Sequence, residues 1–85
     1  MTEGGILEIN GFIANLRTVF ENGGDLILSP STDVRSLEEW DSLAVLGFIT
    51  MVDSEYDVKI AASDIKSART IEDLCRLVEA RKARP

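Results

Sequence analysis

The residue best placed for chemistry in this chain is a serine, Ser42, which stands between Asp41 and Leu43. The residues that follow are apolar at helical spacing, so Ser42 is predicted to lie in the first turn of a helix. The positive end of the helix dipole would stabilise a phosphate attached to the serine hydroxyl. A tripeptide of common residues is a weak signal on its own. A serine also serves as an ordinary helix start, so the surrounding sequence must decide between the two.

The absence of histidine excludes most ways of activating this serine. With no histidine and one cysteine, Cys75, the chain has no Ser-His-Asp or Cys-His pair, and we expect no metal site. A pair of carboxylates remains open as a catalytic device, but 85 residues offer little concave surface for a substrate. We therefore expect no catalysis by the chain itself. Cys75 lies in an apolar helical pattern and is predicted to be a core residue.

Charge is distributed unevenly along the chain, whose net charge is −6. Residues 21–64 carry ten acidic side chains against two basic ones, whereas residues 65–85 carry three against six. The acidic middle would repel nucleic acid and suits partners with basic surfaces. A solvated acidic face with no specific partner is an equally open interpretation.

Composition and the two ends of the chain bear on where the protein acts. No apolar run approaches the roughly 20 residues that span a bilayer, and the N-terminus lacks the basic region of a secretion signal. A single cysteine fits a reducing compartment. We therefore expect a cytoplasmic protein, and a monomer. The initial methionine and the basic tail favour a free-standing protein, with an excised domain as the alternative.

Four helical segments and no strand pattern can be identified, which predicts an all-α fold. The chain is expected to form one domain, residues 1–85, with helices at about 6–21, 42–56, 62–68 and 70–82. Asn22-Gly23-Gly24 is predicted to end the first helix, and Asp41 to cap the second. Thr70 and Asp73 have the spacing of a capping box. The long connection over residues 22–41 contains apolar residues that could anchor it: Leu26, Leu28, Val34, Leu37 and Trp40.

The second predicted helix is apolar on more than one side. Its core face is expected to consist of Val45, Phe48, Ile49, Val52 and Tyr56. The opposite side and its flanks carry Leu43, Leu46, Gly47, Thr50 and Met51. The long connection could cover this second face. Alternatively, the face is a docking surface beside the serine.

Taken together, these features resemble the acyl carrier protein family. The resemblance rests on the order of helices and on the following residues at the family's spacing: Trp40-Asp41-Ser42-Leu43, Phe48, Val52-Asp53-Ser54-Glu55-Tyr56, Ile60, Ile65 and Thr70-Ile71-Glu72-Asp73-Leu74. It implies a four-helix bundle of the acyl-carrier type, with three longer helices, one short helix and a long loop between the first two. It also implies that a separate phosphopantetheinyl transferase attaches 4′-phosphopantetheine from coenzyme A to Ser42, so that the carrier needs no base.

The resemblance assigns roles to residues around Ser42. Asp41 would cap the helix and contribute to recognition by the transferase, and the prosthetic thiol would carry acyl or aminoacyl groups as thioesters. An acyl- or aminoacyl-activating ligase and condensing or transferring enzymes would be the further partners. The residues expected to meet partners are Leu43, Leu46, Gly47, Thr50, Met51 and Asp53.

One departure from the family pattern bears on the pathway. Carriers of fatty acid synthesis typically have acidic residues soon after Asp-Ser-Leu, whereas this chain has Ala44, Leu46 and Gly47. This difference favours a specialised carrier for polyketide, secondary-metabolite or amino-acid chemistry over one for primary fatty acid synthesis. The alternative function is an unmodified helical adaptor that binds a partner through the apolar face of the second helix.

Overall fold

The computed structural model describes residues 8–20 and 26–82. These segments contain four helices: α1 (Ile9–Arg17), α2 (Ser42–Tyr56), α3 (Ala62–Ile65) and α4 (Ile71–Lys82). A single 3-10 turn over Val34–Ser36 lies between α1 and α2. The predicted all-α class is confirmed. Within the described segments, no helix is both long enough and apolar enough to cross a membrane.

The helix bounds differ from the predicted ones mainly in α1 and α3. α1 ends at Arg17 because the next three N–H groups bond to carbonyls three residues back, which tightens the chain into a turn. α3 ends at Ile65, earlier than the predicted residue 68. α2 has the predicted range, and α4 begins one residue late. The predicted stop at Asn22-Gly23-Gly24 lies outside the described residues.

Side-chain caps determine where α2 and α4 begin. The Asp41 carboxylate accepts a hydrogen bond of 2.9 Å from the Ala44 N–H, which makes Asp41 the N-cap of α2. At α4, the Asp73 N–H donates to the Thr70 hydroxyl at 3.1 Å and the Thr70 N–H donates to the Asp73 carboxylate at 3.2 Å. This reciprocal pair is the predicted capping box. α2 ends at Tyr56, and the C-cap residue that follows, Asp57, has a left-handed φ of 58°.

Side chains from all four helices meet in one core. α1 packs against α2 and α4, and α3 lies against the same two helices. The ring of Phe48 is at the centre, with the Phe12 ring centroid at 6.0 Å and that of Trp40 at 5.9 Å, both edge to face. The largest fully buried side chains are Phe12, Phe48, Leu16, Ile71, Leu74, Val34, Val52 and Val78.

The connection before α2 is bound to the start of α4, and we call its described part, residues 26–41, the strap. The carbonyls of Pro30 and Thr32 accept from the N–H groups of Glu72 and Ile71, and the Val34 N–H donates to the Arg69 carbonyl. All five predicted anchors pack against the core: Leu28 and Val34 are buried, and Leu26, Leu37 and Trp40 are partly buried. The segment that leads into Ser42 is thus held against both the core and the start of α4.

Candidate functional site

Ser42 is exposed in the first turn of α2, at a position set by the turn that precedes it. The Trp40 N–H donates to the Leu37 carbonyl at 3.0 Å, and the Asp41 carbonyl accepts the first helical bond from Val45 at 2.9 Å. The N–H groups of the first helical residues have no acceptor inside the helix. These donors and the helix dipole would stabilise a phosphate on the Ser42 oxygen.

Among the described residues, Ser42 has a neighbouring carboxylate, Asp41, but no histidine. The chain has no histidine, and the described residues contain no group of three His, Cys, Asp or Glu side chains placed to hold a metal ion. Asp41 uses one carboxylate oxygen to cap α2.

An open groove begins at Ser42 and lies between the first turns of α2 and α3. We call this groove the serine lobe; its volume is about 620 Å³. Its lining consists of Trp40, Asp41, Ser42, Val45, Leu46, Ala62 and Lys66. Ligand sites typically have volumes of about 300–1,000 Å³. An exposed hydroxyl beside an open, mainly apolar groove of this size fits a flexible phosphate-linked arm.

A second cavity adjoins the first. It has a volume of about 430 Å³ and is lined by Arg35, Trp40, Ile65 and Lys66. Trp40 and Lys66 line both cavities, so the second lies directly beside the serine lobe; we call it the cationic lobe. Lys66, Ala62 and Arg35 were not predicted as site residues, because no pattern in the sequence indicates that the short α3 lies beside the start of α2.

Part of the predicted apolar face of α2 is open to solvent. Leu43 is 74% exposed and Leu46 is 60% exposed, and Thr50 is exposed as well. The strap therefore does not cover these side chains. Asp53 is exposed at the far end of α2 and pairs with the Lys59 ammonium at 3.2 Å. These residues form an apolar surface with an acidic end.

Two members of the predicted face are placed differently. Met51 was predicted to face outward, and this is wrong: it is 8% exposed and belongs to the core. Gly47 is half-buried, and a Cβ on it would come within 3.3 Å of the Val19 side chain. Gly47 therefore faces the end of α1 more than it faces solvent.

The reason for the Met51 error is the phase of α2. The buried residues are Ala44, Phe48, Met51 and Val52, whereas the predicted core residues Val45, Ile49 and Tyr56 are only partly buried. A helix that is apolar nearly all round has no clear polar face, so its sequence does not indicate how far it is rotated.

Cys75 is a core residue, as predicted, with an exposure of 4%. Burial raises the pKa of its thiol to about 11, and the nearby Glu79 and Glu72 carboxylates act in the same direction. The thiolate is the reactive form of cysteine, so this thiol is unreactive near neutral pH.

Comparisons with known proteins agree with this geometry. Residues 13–78 match the sequence profile of the family described as "Phosphopantetheine attachment site". Among solved structures, the fold is similar to the solution structure of a holo acyl carrier protein from Geobacter metallireducens, with a TM-score of 0.70 and 23% identity. The similarity covers 86% of this chain and 83% of that one. No curated protein matches the chain.

Proposed function

Given that this chain belongs to the acyl carrier protein family, whose members are non-catalytic carriers of covalently attached 4′-phosphopantetheine, we propose that the arm is attached to Ser42. The observation that carries the proposal is the exposed hydroxyl of Ser42 in the first turn of α2, at the mouth of the serine lobe. Ser42 also lies well within the matched residues 13–78.

The reaction at Ser42 is a phosphoryl transfer from coenzyme A. A transferase removes the hydroxyl proton and joins the Ser42 oxygen to the phosphorus, and adenosine 3′,5′-bisphosphate leaves. The product is a phosphodiester monoanion, which the N–H groups and dipole at the start of α2 stabilise. The terminal thiol of the arm supplies thioester chemistry. Asp41 holds the first turn in place through its bond to Ala44, and we propose that its exposed side also meets the transferase.

We propose that partner enzymes dock on the exposed part of α2. Its anchors are Leu43 and Leu46, with Thr50 at the edge and Asp53 at the acidic end. Gly47, which was also expected to meet partners, is half-buried towards Val19 and contributes little to this surface. Met51 is left out because it is buried.

The pathway we propose is specialised: polyketide, secondary-metabolite or amino-acid chemistry, supplied by an activating ligase and followed by condensing or transferring enzymes. Ala44 is buried and Gly47 is half-buried, so Leu46 is the exposed apolar residue that supports this proposal. With an apolar residue there, docking relies more on contact packing than on charge steering. We further propose a cytoplasmic monomer, which the free buried thiol of Cys75 supports.

The deciding experiment is modification by a broad-specificity phosphopantetheinyl transferase with coenzyme A and Mg²⁺. We expect the intact mass to rise by one phosphopantetheine, and Ser42→Ala to abolish the increase. Ser54→Ala is the matched control, because Ser54 is also an exposed serine on α2 and should leave the modification unchanged. An unmodified wild-type chain under conditions that load a known carrier would contradict the proposal.

A thiol count gives a second readout. Because Cys75 is buried and its pKa is raised, the folded unmodified protein should show no fast-reacting thiol near neutral pH. The modified protein should show one, on the arm. Two fast-reacting thiols after modification would mean that Cys75 is accessible.

The unmodified adaptor is the competing function, and the exposure of Leu43 and Leu46 is compatible with it. The two functions differ in their dependence on the hydroxyl. In a complementation assay, an adaptor tolerates Ser42→Ala and fails with Leu46→Asp, whereas a carrier fails with both.

A further inference from the structure

Two basic side chains in the groove have no partner within the described part of the protein. Four other described basic side chains are engaged: Lys59 with Asp53, Arg76 with Glu72, Arg81 with Asp64 and Lys82 with the Tyr56 carbonyl. Arg69 has no side-chain partner among the described residues either, but it lines neither lobe. By contrast, the guanidinium of Arg35 and the ammonium of Lys66 make no ion pair or hydrogen bond to a described residue, and both line the cationic lobe.

The cationic lobe lies beside the serine lobe. Trp40 and Lys66 line both lobes, so the two cavities are neighbours on one surface, with Ser42 in one lining and Arg35 in the other. The one acidic residue in either lining is Asp41, which lies beside Ser42 in the serine lobe. An attachment point, a partly buried indole and two unpaired cations therefore lie in adjoining parts of the surface.

This arrangement suits an acyl group that ends in an anion. An arginine guanidinium can bind a carboxylate through two hydrogen bonds, and a lysine ammonium adds a point charge. A chain with a net charge of −6 repels anionic groups in general, so local cations are needed to hold one against its surface. A neutral acyl chain would bring no partner for either cation.

We propose that the cargo of this carrier is an acyl group with a terminal carboxylate, and that Arg35 and Lys66 bind this carboxylate while the acyl chain lies along Trp40. The proposal rests on attachment of the arm to Ser42. The phosphodiester of the arm is a competing anion for Lys66, which lines the serine lobe. Arg35 lines only the cationic lobe, so an effect of substituting Arg35 would indicate the cargo carboxylate and not the phosphodiester.

The test uses three loaded forms of the full chain, made by a transferase from coenzyme A, pentanoyl-coenzyme A and glutaryl-coenzyme A. The two acyl groups have equal carbon counts and differ in ending in a methyl group or a carboxylate. Intact mass is measured first. A chain that is not loaded would contradict attachment at Ser42, whereas a loaded chain without the expected signals would contradict binding of the cargo carboxylate. The readouts are the amide signals of Arg35 and Lys66 and the fluorescence and indole N–H signal of Trp40, the chain's one tryptophan.

We expect the glutaryl form to shift all these signals relative to the bare arm, and the pentanoyl form to leave those of Arg35 and Lys66 unchanged. Arg35→Gln and Lys66→Gln should each lower the bound fraction about two- to fivefold, the range of an ion pair in contact with water. Lys59→Gln is the charge-matched control, since Lys59 is exposed and lines neither lobe. Roughly 1 M salt should weaken the effect.

Three results would overturn the proposal. Equal shifts with both acyl groups would mean that the groove responds to the acyl chain and not to its charge. No shift with either acyl group would mean that the groove does not hold cargo. An effect of Lys66→Gln on the bare arm, with none of Arg35→Gln on the glutaryl form, would assign Lys66 to the phosphodiester. Thermal unfolding of each variant verifies that it is folded.

Discussion

α2 and α4 contribute equally to the core but differ in what they show to solvent. α4 buries Ile71, Leu74, Cys75 and Val78, and its exposed positions include the ion pair of Glu72 with Arg76. α2 buries Ala44, Phe48, Met51 and Val52, and still exposes Leu43 and Leu46.

The difference separates residues needed for folding from residues kept for contact. Folding accounts for α4, because its apolar residues are inside and its charged residues outside. It does not account for Leu43 and Leu46, which lie one turn apart beside Ser42 and bury little surface. Adjacent exposed apolar side chains next to a groove are typical of a docking site.

The largest expected effect is on the buried side of α2. Phe48→Ala removes a fully buried ring that contacts Phe12 and Trp40, and we expect it to lower the free energy of unfolding by about 3–5 kcal/mol. Urea unfolding measures the change. Leu46→Ala is the control on the same helix and should change stability by less than about 0.5 kcal/mol. Similar losses in the two variants would remove the distinction between the two sides.

On the exposed side of α2, Leu46→Asp should impair function without affecting folding. We expect acyl transfer to or from a partner enzyme to fall about tenfold in kcat/KM, which corresponds to about 1.4 kcal/mol. Urea unfolding should stay within about 0.5 kcal/mol of the parent protein. Ala80→Asp places the same charge on an exposed position of α4 and should leave transfer unchanged. Equal losses from both substitutions would indicate a general charge effect.

The N-caps of α2 and α4 should contribute equally to stability, but only the cap of α2 should affect modification of Ser42. Asp41→Ala and Thr70→Ala each remove a cap, and each should cost about 1 kcal/mol in unfolding experiments. Only Asp41→Ala should also slow modification of Ser42. Asp41→Asn keeps a capping side chain and removes the charge, so a slow reaction in this variant would show that the transferase responds to the carboxylate itself.

The smallest expected effect is an acid response at the start of α4. Hydrogen bonds from the N–H groups of Arg69 and Thr70 hold the pKa of Asp73 below its ordinary value of 3.8. A carboxyl whose pKa is lower when folded adds stability above its unfolded pKa, and this is lost as pH falls through the folded value. Between about pH 5 and about pH 3, Asp73→Asn should therefore lose less stability than the parent protein. Equal losses would assign the acid response to other carboxyls.

Local sequence signals predicted where α2 and α4 begin better than they predicted how α2 is rotated about its axis. Asp41, Thr70 and Asp73 act on N–H groups within four residues, so their roles could be identified in the sequence and are confirmed. Met51 depends on which neighbours cover it, and an apolar helix gives no indication of that. The groove was beyond prediction for the same reason, since Arg35 and Lys66 are far apart in sequence and meet only through the packing of the strap and α3.

The hydrogen bonds between the strap and residues 69–72 close the chain into a ring. From Val34 through α2 and α3 to Arg69, the backbone leaves and returns to one place, and Ser42 lies on this ring. A force applied to a group on Ser42 is therefore transmitted to the core along two segments, the strap and α2. Because these bonds hold Ser42 from both sides, we expect a group attached to Ser42 to move more than Ser42 itself.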